Sequence, residues 1–160
     1  MRVTEETHDD ALVYAADVKT RKPHMIFQAT GTSDLPATVV FHNLSWTIDV
    51  STNGEEMPMR PGSKSKLEYS FDSRALGGRW LTWKRSKGSK YFDLDCVDET
   101  GEVVYASWRA YKTGSGKKTG RTEILQPAAE VAGDKGFTDE LAVTGLANVY
   151  VQIMMIVAAA

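Results

Sequence analysis

With a single cysteine, Cys96, the chain can form no internal disulfide. A thiol-only composition fits a reducing, cytoplasmic setting. Residues 1–10 are polar and acidic and hold no apolar run, so they predict a tail rather than a secretory signal. Histidine is scarce. His8, His24 and His42 share no helix-face spacing and stand far from Cys96, so neither a metal site nor a cofactor is expected. No Gly-x-Ser-x-Gly elbow is present, and no nucleophile has an evident base and orienting acid. The stretch Gly114-Ser115-Gly116-Lys117-Lys118-Thr119-Gly120 fails as a phosphate loop. Its first glycine would have to be residue 111, which is tyrosine, and Lys118 stands where a hydroxyl residue belongs. No catalytic residue is assigned, and the reading leans away from an enzyme.

Net charge is also lacking. The formal value is −2, which excludes a uniformly basic polyanion binder. The charge is uneven, however. From Arg74 to Arg121 eleven basic residues face five acidic ones, a local +6, and the remainder carries −8. Lys84, Arg85, Lys87 and Lys90 cluster around one predicted hairpin, and Lys112, Lys117 and Lys118 around another. If the two loops share one end of the fold, they form a cationic rim that could meet anionic headgroups. Trp80, Trp83, Trp108 and Tyr91 lie near these cations and could stack on single-stranded nucleic acid. Trp80 and Trp83 have opposite strand parity, so at least one belongs to the core, and nucleic acid is not the favoured partner.

What the chain has is alternation. Leu12–Val18, Met25–Ala29, residues 46–50 and 67–71 carry β-branched, aromatic or apolar residues at every second position, and residues 38–42 are β-branched and aromatic. That is the pattern of half-buried strands. Arg79–Arg85, residues 90–97 and residues 103–111 are separated by Ser86-Lys87-Gly88-Ser89 and Asp98-Glu99-Thr100-Gly101, which predicts a three-strand meander. Cys96 alternates with Phe92 and Leu94, as a core residue would. Asp93 and Asp95 share the other face and are expected to pair with cations across the meander. A last strand near residues 121–125 makes nine, enough for a barrel or sandwich.

After Pro127 the period changes. A helix is expected over about 139–157, capped by Thr138, with Asp139 and Glu140 in its first turn. No charged residue follows Glu140, and Thr144, Asn148 and Gln152 form one narrow polar stripe on an otherwise apolar cylinder. Such a helix is enclosed by protein or by lipid. The polar stripe, Gly145 and the acidic entry favour protein over a tail anchor. The expected fold class is mainly β, a closed or nearly closed antiparallel β-barrel around a hydrophobic C-terminal helix, with residues 11–160 as one domain.

Trp80-Leu81-Thr82-Trp83-Lys84, Phe92-Asp93-Leu94, residues 98–104 (Asp-Glu-Thr-Gly-Glu-Val-Val), Arg121-Thr122-Glu123-Ile124-Leu125 and residues 139–147 follow in an order that resembles the tubby C-terminal-like superfamily. This group includes the LURP-one-related proteins and the phospholipid scramblases, and the likeness is nearest to small fungal tubby-like domain proteins of uncharacterised function. It covers about residues 65–155, and the first 60 by strand pattern. It implies a twelve-stranded barrel around a hydrophobic helix. It carries over no lipid-ligand or calcium-ligand motif, and the Cys-rich and Pro-rich segments of scramblases are missing. The expected function is a non-catalytic module that docks on anionic phospholipid or a protein partner, cytoplasmic and peripheral at membranes. The alternatives are a small-molecule-carrying β-barrel, which requires an empty interior, and an enzyme of unrecognised type.

Overall fold

The computed structural model describes residues 2–4, 12–29, 37–42, 44–63, 67–89, 93–110, 120–125 and 135–159. The chain is mainly β, with one C-terminal helix. Its strands are β1 (Arg2–Thr4), β2 (Leu12–Val18), β3 (Met25–Ala29), β4 (Ala37–Phe41), β5 (Ile48–Thr52), β6 (Glu55–Pro61), β7 (Tyr69–Ser73), β8 (Arg79–Arg85), β9 (Leu94–Val97), β10 (Val104–Ala110) and β11 (Gly120–Ile124), followed by helix α1 (Lys135–Ala159). Strands adjacent in sequence are neighbours in an open order from β1 to β11, and no pairing of β1 with β11 closes that order among the described residues. The chain forms two compact units, residues 1–58 and 59–160.

The first unit is an antiparallel meander. Alternation predicts Ala16, Met25, Phe27 and Val50 for the core, and strand pairing adds Ala37 and Val39. Ala16 pairs with Phe27 and Phe27 with Ala37, Met25 with Val39 and Val39 with Val50, and all six are buried, while Val18, expected on the face of Ala16, is exposed. Arg2–Thr4 pairs with β2 rather than remaining a free tail. Asn53 and Gly54 turn β5 into β6 with φ of 53° and 80°. Two consecutive left-handed residues match the twist of a two-residue hairpin, which is why Asn-Gly stands there. β6 is not among the strands that alternation predicts, and Pro58 and Pro61 weaken the local strand signal there. Met57 and Met59 nevertheless alternate into the interior.

In the second unit, β7 to β11 pair in sequence order. The row Tyr69, Trp83, Cys96, Ala106 runs across four strands with every member buried. The row passes from large side chains, Tyr69 and Trp83, to small ones, Cys96 and Ala106. Gly145 leaves space for the helix against it: a Cβ there would stand 2.8 Å from Trp83 Cζ2. The indole therefore lies directly on the helix backbone, and Trp83 Nε1 donates to Thr144 Oγ1 at 2.9 Å.

Helix α1 starts four residues before the expected position, so Thr138 is inside it and its first turn has no acid. Asp139 and Glu140 are buried instead of complementing the helix dipole at the surface. Glu140 begins a row with Thr144, Asn148 and Gln152 that faces β7 and β8. Its carboxylate accepts from Ser73 Oγ at 2.6 Å and from Ala75 N at 2.9 Å. Gln152 Nε2 donates to Asn148 Oδ1 at 3.1 Å and approaches Leu67 O at 3.5 Å. Residues 143–149 are buried without interruption. At about 100° per residue that run covers every side of the helix, so this segment has no solvent face. The enclosure ends near Gln152, since Ile153 and Met154 are exposed. Among the described residues no helix is long and apolar enough to cross a membrane.

Candidate anion-binding surface

One end of the second unit is built on the turn after β8. Ser86 N donates to Asp93 O at 2.9 Å and Ser89 N to Ser86 O at 3.1 Å. Asp93, just before β9, completes the brace. Its Oδ1 accepts from Ala110 N at 2.9 Å and its Oδ2 from Ser89 Oγ at 3.0 Å. Arg109 ties the same turn from β10. Nη1 donates to Ser86 Oγ at 2.8 Å and to Leu94 O at 2.9 Å, and Nη2 lies 2.7 Å from Asp95 Oδ1. The expected pairing of Asp95 across the meander is thus present, while among the described residues Asp93 accepts from Ala110 N and Ser89 Oγ.

Arg85 and Lys87 are exposed at this end. β10 finishes and β11 begins there too, with Ala110 opposite Gly120 and Arg109 opposite Arg121. Arg109 and Arg121 belong to this surface by register, which sequence clustering did not reveal. The signal was available in the hairpin pairing but not in linear proximity. Lys84 is elsewhere. Strand alternation puts it on the face opposite Arg85, and its Nζ would stand 2.9 Å from a Cβ on Gly101, so it leans toward the 98–102 turn at the other end of β9. Lys90, Lys112, Lys117 and Lys118 lie outside the described residues, as do Tyr91 and Phe92. Of the four aromatic residues expected beside the cations, Trp83 and Trp108 are buried and Trp80 is exposed.

The 98–102 turn is a closed device of its own. Asp98 Oδ1 accepts from Gly101 N at 2.9 Å, Glu102 N at 3.1 Å and Val103 N at 3.2 Å, and Thr100 Oγ1 lies 2.9 Å from each of the two carboxylate oxygens. Slight desolvation pushes the Asp98 carboxyl up, but the hydrogen bonds from Thr100, Val103, Gly101 and Glu102 outweigh it and hold the group below the ordinary aspartate value. Burial pushes the Cys96 thiol well up, which disfavours the nucleophilic thiolate. Burial likewise pushes the Tyr69 hydroxyl up to about 12. Among the described residues no group of three or more His, Cys, Asp or Glu side chains could hold a metal ion.

At one end of the first unit, Lys19, Arg21 and Lys22 lie in the loop between β2 and β3, and the next hairpin loop joins β4 to β5. His42 sits 2.6 Å from Asp49 Oδ2 through Nε2. Ser45 Oγ is bonded to Thr47 Oγ1 at 2.7 Å, so the hydroxyl near this pair is engaged within its own loop. No protein-family profile, curated protein or solved structure matches this chain.

Proposed function

We propose that the chain is a non-catalytic binding module of the tubby-like kind, cytoplasmic and peripheral, whose strands close around α1 and whose basic rim docks on anionic membrane headgroups. The closed barrel is supported by the unbroken burial of residues 143–149, which requires partners on every side of the helix. One observation carries the docking reading. Among the described residues, Asp95 is committed to Arg109 and Asp93 to Ala110 N and Ser89, while Lys87 stands exposed on the braced tip. Positive charge held on a rigid turn attracts an anionic surface at little ordering cost, on the order of 1 kcal/mol per basic residue.

The test is co-sedimentation of the full chain with phosphatidylcholine vesicles, with and without phosphatidylserine, at two salt concentrations. Binding is expected to require the anionic lipid, to weaken with salt and to fall in R85E/K87E. Indifference to phosphatidylserine ends the lipid reading in favour of a protein partner.

A further inference from the structure

Two hairpin loops of the first unit meet at the same end of their sheet. Val18 pairs with Met25, Met25 with Val39, and Phe41 with Ile48, so β2–β3 and β4–β5 turn on the same side of the meander. His24 joins them. Its backbone N donates to Val39 O at 2.8 Å, Phe41 N donates to its Nδ1 at 3.0 Å, and its ring centroid lies 5.6 Å from that of Phe41. The first loop presents Lys19, Arg21 and Lys22 to solvent. The second presents Leu44, fully exposed, and Trp46, 37% exposed.

A lone exposed leucine is ordinary on a protein surface. This one stands on a fixed scaffold. Trp46 has φ of 58°, a left-handed conformation unfavourable for a bulky residue. That conformation is held by Trp46 N donating to His42 O at 2.8 Å and His42 N to Thr47 O at 3.0 Å. Strained backbone that presents an apolar pair persists only where surrounding bonds determine it. Among the described residues of these two loops and the strand ends that flank them, the carboxylates are Asp17, 3.8 Å from Lys19 Nζ, and Asp49, bound to His42. Arg21 and Lys22 therefore leave the edge cationic.

We propose that this edge docks on an anionic bilayer, Leu44 and Trp46 entering the interfacial layer while Lys19, Arg21 and Lys22 meet the headgroups. The proposal rests on the membrane-docking reading and adds a second, insertion-based contact. The chemistry is complementary. Leucine and tryptophan favour the region between headgroup and acyl chain, and basic residues favour the charged surface above it. A fully exposed Leu44 beside a half-exposed Trp46 fits a fluid surface that moulds around them.

The experiment uses the full chain and vesicles of phosphatidylcholine with phosphatidylserine. Leu44→Ser is expected to weaken binding at least about tenfold, the value of withdrawing one leucine side chain from an apolar layer. Because Leu44 is fully exposed, its circular dichroism and melting should match the parent chain. R21E/K22E should weaken binding as well, most at low salt. Lipids brominated on their acyl chains should quench tryptophan fluorescence in the parent chain and much less in Trp46→Phe. If Leu44→Ser binds as the parent does and quenching is absent, insertion is overturned while charge-driven docking stands. If the parent binds no vesicle, both readings fall. If Leu44→Ser instead abolishes a concentration-dependent dimer and leaves vesicle binding intact, the edge serves a second copy and the proposal is overturned.

Discussion

At the scale of single residues, hydrogen bonding rather than exposure sets behaviour. Asp98 is a surface carboxylate, yet three backbone N–H groups and the Thr100 hydroxyl converge on it. Its folded pKa is depressed, so the stabilisation it gives is present above the unfolded aspartate value of about 3.9 and is lost as pH falls through the folded value. Denaturant unfolding of the parent chain and Asp98→Asn, followed from neutral pH to about pH 2, checks this. The variant is expected to be less stable at neutral pH, and the gap should narrow on acidification. A constant gap would mean that Asp98 contributes nothing through its charge.

At the scale of elements, α1 is keyed to the sheet by polar groups as well as apolar ones. Glu140 joins the helix to β7 and the turn after it, Thr144 to β8 through the Trp83 indole, and Gln152 points to Leu67. An apolar cylinder could slide or rotate against an apolar sheet, whereas these bonds fix its register. In Glu140→Gln one acceptor becomes an NH2 group facing a donor. A loss of about 1–3 kcal/mol is expected from urea unfolding, with the fold retained. The four-residue spacing of Thr144, Asn148 and Gln152 was legible in the sequence, but Glu140 was assigned to the helix dipole. A carboxylate near a helix start looks the same in sequence whether it faces water or Ser73.

At the scale of the whole molecule, stability depends on the enclosure of the middle of α1. Leu146 is buried within the segment that has no solvent face. Leu146→Asp would place an unpaired carboxylate among apolar side chains, a cost of several kcal/mol that a marginally stable fold does not withstand. Loss of the cooperative melting transition and of near-ultraviolet circular dichroism is expected. A soluble variant with a native spectrum would contradict enclosure. The fully exposed Leu44 supplies the contrast, since its replacement should alter binding and leave melting unchanged.

Period-two alternation by itself determined that the chain is mainly β, and it selected the buried residues of β3, β5, β7 and β9, namely Met25 and Phe27, Ile48 and Val50, Tyr69 and Phe71, and Leu94 and Cys96. A side chain's face follows from its parity once a strand exists. The run without charge after Glu140 likewise determined the helix, while the structure decided that residues 143–149 are buried and that Ile153 and Met154 are exposed. β6 escaped because Pro58 and Pro61 obscure the local signal while pairing and the burial of Met57 and Met59 overrule it. Only the tertiary structure decided that Lys84 leaves the basic turn, that Arg109 and Arg121 join that end, and that the loop of Leu44 and Trp46 shares one end of its sheet with the loop of Arg21 and Lys22. These placements depend on which strands pair and in what register, a property of residues far apart in the chain that local patterning does not encode.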